Sequence, residues 1–301
     1  MNSVIDKTIY YNIADLQLEM SLPQDTVESI ILPNFEPFKA QFTDDKSITC
    51  RVYVSPTDLY FERRSAKLLS DISLVWNDRF TFFETDDFYY TLIQYSNDLN
   101  KHWKMRSTKD FSSNTIYCGP LGNSVNNFIS WYSMVAFAQS SLLNKCILIH
   151  ASVVVDKNFG FAFLGKSGTG KSTHSRLWLK HIEGMKLLND DNPAIKISGD
   201  KVLVYGTPWS GKTPCYINEA RLLKGIIRLN QAPYNKFEIQ KNKEALFALL
   251  PSCSALRWNS NLYSSLINIL IEVINSTPIG QLDCLPDEEA ARLCYTKIYE
   301  L

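Results

Sequence analysis

Residues 160–173 read Gly-Phe-Ala-Phe-Leu-Gly-Lys-Ser-Gly-Thr-Gly-Lys-Ser-Thr, an apolar run that breaks into a glycine-rich loop. Within it, Gly165 to Ser172 fits the spacing GxxxxGK[ST] without a mismatch. Glycines at 165, 168 and 170 let the backbone turn tightly, so that successive N–H groups converge on phosphate oxygens. Lys171 supplies a mobile positive charge for the terminal phosphates, and the Ser172 hydroxyl suits Mg²⁺. A helix starting at Lys171 adds the positive end of its dipole. The apolar residues 160–164 read as the strand that feeds the loop, and the pattern after Lys171 reads as a helix to about Ile182. The nucleotide-binding candidates are therefore Gly165, Lys166, Ser167, Gly168, Thr169, Gly170, Lys171, Ser172 and Thr173.

Working outward, Cys146–Val155 reads as a strand with His150 interrupting its apolar run, and Asp156-Lys157-Asn158 as the turn into Gly160–Leu164. A lone histidine in an apolar strand is more often a hydrogen-bonded core residue than a catalyst, but its place beside the loop strand makes it a candidate. Downstream, Met185–Asn189 is a short strand ending in Asp190-Asp191. Neighbouring side chains on a strand point to opposite faces, so one carboxylate can reach a metal while the other faces an incoming nucleophile. Ala194–Ser198 and Lys201–Tyr205 form a hairpin about Gly199-Asp200. Gly206-Thr-Pro-Trp-Ser-Gly-Lys-Thr-Pro214 is a shaped loop with two readings: an exposed Trp209 and Lys212 serving an acceptor or phosphate, or a structural turn with Trp209 buried. A strand at Lys224–Leu229 follows, then helices near Lys241–Leu250, Asn261–Asn275 and after Pro286-Asp287-Glu288-Glu289, where acids suit a helix N-terminus.

The first part of the chain has a different texture. Ile48–Val54, Asp71–Trp76, Phe80–Glu84 and Tyr89–Gln94 are rich in β-branched and aromatic residues, so residues 1–123 are expected to be a β-rich domain. Ser124–Leu143 reads as a helix with Phe128, Trp131, Val135, Ala138 and Leu142 on one stripe, and the domain change is placed there, giving a second domain of 124–301. The fold class is α/β, mixed α+β.

Equal numbers of acids and bases, 31 of each, argue against a nucleic-acid partner held by bulk positive charge. Phe128–Leu143 is too short and too interrupted by serines for a bilayer, and the opening residues show neither a basic nor an apolar leader segment, so no membrane is expected and a cytoplasmic setting is. Seven widely spread cysteines without a CxxC pair fit reduced thiols rather than disulfides or zinc.

ILIHASVVV with His150, GFAFLGKSGTGKST, and LLNDDNPAI with Asp190-Asp191, in that order, resemble the C-terminal domain of the HPr kinase/phosphorylase family over roughly Cys146–Arg228. The resemblance implies a fold related to phosphoenolpyruvate carboxykinase and an ATP- and Mg²⁺-dependent kinase. It implies transfer of the γ-phosphoryl group to a serine-type hydroxyl of a protein, peptide or small molecule. Asp190 would be the general base, His150 would lie near the phosphates, and Lys171 would complete the catalytic set; Ser172 and Asp191 would hold the metal. A homo-oligomer is implied as well. Thr173 stands where the family carries an acid, and the N-terminal half differs from the family's, so an acceptor other than HPr is expected, recognised by the β-rich domain. A nucleotide-binding regulator without catalysis and a phosphoenolpyruvate carboxykinase-like enzyme are the alternatives.

Overall fold

The computed structural model describes residues 7–44, 47–75, 78–94, 102–119, 125–211 and 213–301. The chain is mixed α/β, with two large mixed sheets in two compact units, Met1–Ser141 and Leu142–Leu301.

The first unit contains β1 (Lys7–Ile13), β2 (Leu16–Leu22), α1 (Glu28–Ile31), β3 (Lys39–Ala40), β4 (Ile48–Ser55), β5 (Lys67–Val75), β6 (Asp78–Glu84), β7 (Tyr89–Gln94), β8 (His102–Ser107), β9 (Ser113–Tyr117) and α2 (Val125–Ser140). Its nine strands run in the order β3-β1-β2-β4-β9-β8-β7-β6-β5. The β2–β4 and β4–β9 pairs are parallel. Alternation decides which side chains turn inward: Val52 and Val54 are buried while Tyr53 between them is exposed. Helix α2 packs on β4, β8 and β9, which assigns it to this unit; the boundary falls after Ser141 rather than before Ser124. The expected stripe on α2 is only partly the buried one. Ala138 and Leu142 are buried, but Phe128, Trp131 and Val135 are half-buried, and Ile129, Tyr132, Ala136 and Phe137 fill the core instead. Ser133 and Ser140 can face inward there because each hydroxyl bonds a carbonyl of the preceding helical turn.

The second unit contains β10 (Cys146–Leu148), β11 (Ala151–Val155), β12 (Phe159–Leu164), α3 (Lys171–His181), β13 (Lys186–Asp191), β14 (Ala194–Ser198), β15 (Lys201–Tyr205), β16 (Ala220–Gln231), β17 (Lys236–Gln240), α4 (Asn242–Leu249), α5 (Ser260–Ser276), β18 (Ile279–Cys284) and α6 (Glu288–Tyr299). The main path is β10-β14-β15-β16-β12-β11-β13, with β18 beside β16 and β17 beside β18. The pairs β12–β16 and β16–β18 are parallel. The expected single strand Cys146–Val155 is two strands. Yet β10 on β14 and β11 on β13 keep one register across the gap, and the Ile149 N–H bonds the Pro193 carbonyl at 3.1 Å. Residues 146–155 and 186–198 thus run alongside each other as one antiparallel ribbon, interrupted at His150 and at Asn192-Pro193.

On one face of this sheet, Phe161, Phe163, Ile227, Leu229 and Leu282 pack against Trp178 of α3 and Ile298 of α6. Trp178 is fully buried, and its contacts fix α3 against the strand that feeds the glycine loop. Asp287 caps α6 by accepting the Ala290 N–H at 2.9 Å, so Pro286 lies just before the cap. Among the described residues no helix is long and apolar enough to cross a membrane, and all seven cysteines are free thiols.

Candidate functional site

The glycine loop leaves β12 at Gly165 and enters α3 at Lys171. Gly168 and Gly170 sit at φ 83° and 100°, a region that side chains disfavour. A Cβ on Gly165 would collide with the Thr169 side chain. Thr169 closes the turn, its N–H and its hydroxyl both reaching the Lys166 carbonyl at 3.1 and 2.5 Å. Lys166, Ser167 and Gly168 are exposed, while Thr169, Gly170, Lys171 and Ser172 are half-buried; Thr173 is exposed on the first turn of α3.

Lys171 folds back over the loop. Its ammonium donates to the Gly165 carbonyl at 3.0 Å and to His150 Nε2 at 2.9 Å. His150 Nδ1 in turn lies 2.9 Å from Asp191 Oδ1. An ammonium can only donate, so Nε2 accepts and Nδ1 carries the hydrogen that Asp191 receives. Three candidates separated in the sequence are thereby joined into one chain of hydrogen bonds. His150 immediately precedes Ala151, which pairs with Asp191 in the β11–β13 ladder, and that register brings the two side chains together. The His150 side chain is 42% exposed and that of Asp191 only 9%. Burial holds the Lys171 ammonium below its ordinary pKa, partly offset by the charges of Asp191 and Asp190.

The two aspartates are not equivalent. Asp190 pairs in register with Ser152, whose hydroxyl meets that of Ser175 on α3 at 2.7 Å. Residues directly opposite in an antiparallel pair share a face, so Asp190 belongs to the face that carries α3, and Asp191 to the other. Asp191 uses both oxygens: Oδ1 toward His150, and Oδ2 accepting from Asn192 Nδ2 at 2.8 Å. Asp190 Oδ1 is buried and has no hydrogen-bond partner among the described residues.

Asn189, which the sequence reading passed over, organises the pair. It is fully buried, and its Oδ1 accepts from the N–H groups of Asp191 and Asn192, each at 3.0 Å. Its Nδ2 points at the carbonyls of Thr207 and Trp209, both at 3.3 Å. The buried Thr207 hydroxyl donates to the Asn192 carbonyl at 2.6 Å. The only sequence signal was a polar residue entering an apolar strand one position before the acids. The shaped loop therefore has its structural reading: Trp209 is 2% exposed, and Lys212 lies outside the described residues. The loop runs close along β13, with the Gly211 N–H bonding the Asp190 carbonyl at 3.3 Å and Ser210 bridged to Asp191. His174 is packed rather than solvent-facing, 3% exposed against Phe163 and Trp178.

Among the described residues no group of three or more His, Cys, Asp or Glu is arranged to hold a metal ion by itself. Mg²⁺ does not need one, since it binds through one or two protein oxygens together with phosphates and water. The Ser172 hydroxyl and the Asp191 carboxylate supply oxygen donors of that kind.

No family model matches this chain, and no curated protein matches it. Among solved structures, it is similar to the structure of the Hpr(Ser) kinase/phosphatase from Coxiella burnetii, with a TM-score of 0.31 and 13% identity over 51% of this chain and 88% of that one. A likeness at that level has no bearing on activity.

Proposed function

We propose that the second unit binds a nucleoside triphosphate with Mg²⁺ at the glycine loop and transfers its γ-phosphoryl group to a hydroxyl, as in the HPr kinase family. The observation that carries the reading is the linkage of Lys171, His150 and Asp191 through two contacts of 2.9 Å, which brings a phosphate-loop lysine to an aspartate pair. Lys171 exchanges its carbonyl and imidazole partners for phosphate oxygens. Asp190, the member of the pair whose carboxylate is not tied to His150 and Asn192, takes the proton of the acceptor. Asp191 and Ser172 would hold the metal, and His150, whose side chain is 42% exposed, keeps Asp191 in place and faces the phosphates. Bound Mg²⁺ offsets negative charge on the phosphates. The acceptor oxygen bonds to the γ-phosphorus and the bond to the β–γ bridging oxygen breaks. The nucleoside diphosphate leaves with that electron pair, and Asp190 takes the acceptor's proton.

The acceptor is a hydroxyl on a protein, peptide or small molecule, with the β-rich unit as its recognition surface. The test is a γ-labelled ATP screen against proteins and peptides of the source cell. Label should appear on an acceptor with the wild type, and Asp190→Asn should lose transfer while still binding ATP. Binding of ATP without transfer or hydrolysis against broad acceptor pools would refute catalysis and leave a nucleotide-binding regulator.

A further inference from the structure

The proposed reading places phosphates and acceptor but leaves the nucleoside without a site, and the topology supplies one. Beside β12, which feeds the glycine loop, β11 and β13 lie on one flank and carry His150 and the aspartates to the loop. On the other flank lie β16 and then β18, both parallel to β12, so their C-terminal ends open at the same edge. In a displacement at the γ-phosphorus the acceptor and the leaving diphosphate lie on opposite sides. With the acceptor on the β13 flank, the diphosphate and its nucleoside run out over the ends of β16 and β18. Ligands collect beyond the carboxyl ends of parallel strands for the same geometric reason.

Those ends carry a polar cluster that packing does not require. Gln231 Nε2 donates to the Gly168 carbonyl at 3.3 Å, tying the end of β16 to the loop itself. One residue back, with side chains turned to the other face of the sheet, Asp283 near the end of β18 receives Asn230 Nδ2 at 2.9 Å and Gln281 Nε2 at 3.1 Å, both on Oδ1. Two amides thus hold one oxygen of the carboxylate, and Oδ2 has no hydrogen bond among the described residues. A carboxylate so held can accept from both hydroxyls of a ribose, which is how an acid at a strand end reads that sugar. Just past the same ends, Tyr234 and Leu285 are 54% and 38% exposed, an apolar surface on which a base can lie.

We infer that Asp283, positioned by Asn230 and Gln281, recognises the ribose hydroxyls of the nucleotide, with Tyr234 under its base. This rests on the phosphate reading of the glycine loop. The experiment measures binding of ATP, 2′-deoxy-ATP, 3′-deoxy-ATP and inorganic tripolyphosphate to the full-length wild type, Asp283→Asn, Tyr234→Ala and Lys171→Ala, with Mg²⁺ present. Wild type should prefer ATP to each deoxy analogue by roughly tenfold, the worth of a hydrogen bond to a charged group. Asp283→Asn should erase that preference and lower the ratio of ATP to tripolyphosphate affinity by a similar factor. Tyr234→Ala should lower the ratio too, and Lys171→Ala should weaken both ligands. Equal wild-type affinity for ATP and its deoxy analogues overturns the ribose site, and does so without any variant having to fold. An unchanged ratio in Asp283→Asn overturns it as well, while Lys171-dependent ATP binding leaves the phosphate reading standing. If neither ATP nor tripolyphosphate binds the wild type, both readings fall.

Discussion

His174 makes the acid stability of the second unit calculable. Its ring is buried between Phe163 and Trp178, and its Nε2 accepts the Trp178 indole N–H at 3.1 Å. Burial pulls its pKa from 6.5 down to about 4. Above pH 6.5 the imidazole is neutral whether the chain is folded or not, and it makes no difference to stability. Between the two values the unfolded chain binds a proton that the folded chain refuses, so stability falls as the pH falls. Below about 4 both states are protonated and the loss is complete. The gap of about two and a half pH units, at roughly 1.4 kcal/mol each, amounts to about 3 kcal/mol. The perturbation is His174→Gln, which retains an acceptor for the indole and does not titrate. Urea unfolding of both proteins from about pH 8 to about pH 4.5 gives the difference, since other groups titrate alike in the two. The wild type should lose stability faster than the variant by close to one proton's slope below pH 6.5. Parallel curves, or a His174 ring that titrates near 6.5 by NMR, would refute the reasoning.

Other expectations follow from single contacts. Asn189→Ala leaves two buried N–H groups, those of Asp191 and Asn192, without their acceptor and should cost roughly 2–4 kcal/mol, read as a lower denaturation midpoint. Gly211→Ala puts a Cβ 2.8 Å from the Asp190 carbonyl and 3.3 Å from Asp191 Cβ. It should displace the pair and reduce phosphoryl transfer by roughly tenfold or more while ATP affinity, measured by calorimetry, changes little. Asp287→Ala removes the cap of α6 and should cost about 1 kcal/mol, read as a lower denaturation midpoint in unfolding experiments.

What could be read in the sequence was what local chemistry dictates. The hairpin Ala194–Tyr205 was legible because apolar residues alternate about Gly199-Asp200, and the glycine loop because its spacing is itself the structure. Strand β2 escaped notice because Gln17 and Ser21 are polar yet buried, the first bonding the Gln41 carbonyl. Strands β17 and β18 were missed as well, being short and polar at alternate positions. The sequence shows the helix of α2 but not the sheet it covers, because that is a tertiary fact. The same limit applied at the site. Asp190-Asp191 and His150 stood out as residue types, but their meeting depends on the register of 146–155 against 186–198. Asn189 offers only a polar residue in an apolar strand: its importance comes from the backbone N–H and carbonyl groups it faces.

The ribbon has a mechanical consequence. His150 sits next to the Ala151–Asp191 pair of one hydrogen-bonded band and is anchored further where its N–H bonds the Ser252 carbonyl at 2.7 Å. Lys171 belongs to a different part, the head of α3. A ligand arriving at the loop can therefore pull the lysine away while the histidine–aspartate spacing stays set by the band. The site thus combines a lysine carried by the head of a helix with a histidine and an aspartate carried by the ribbon.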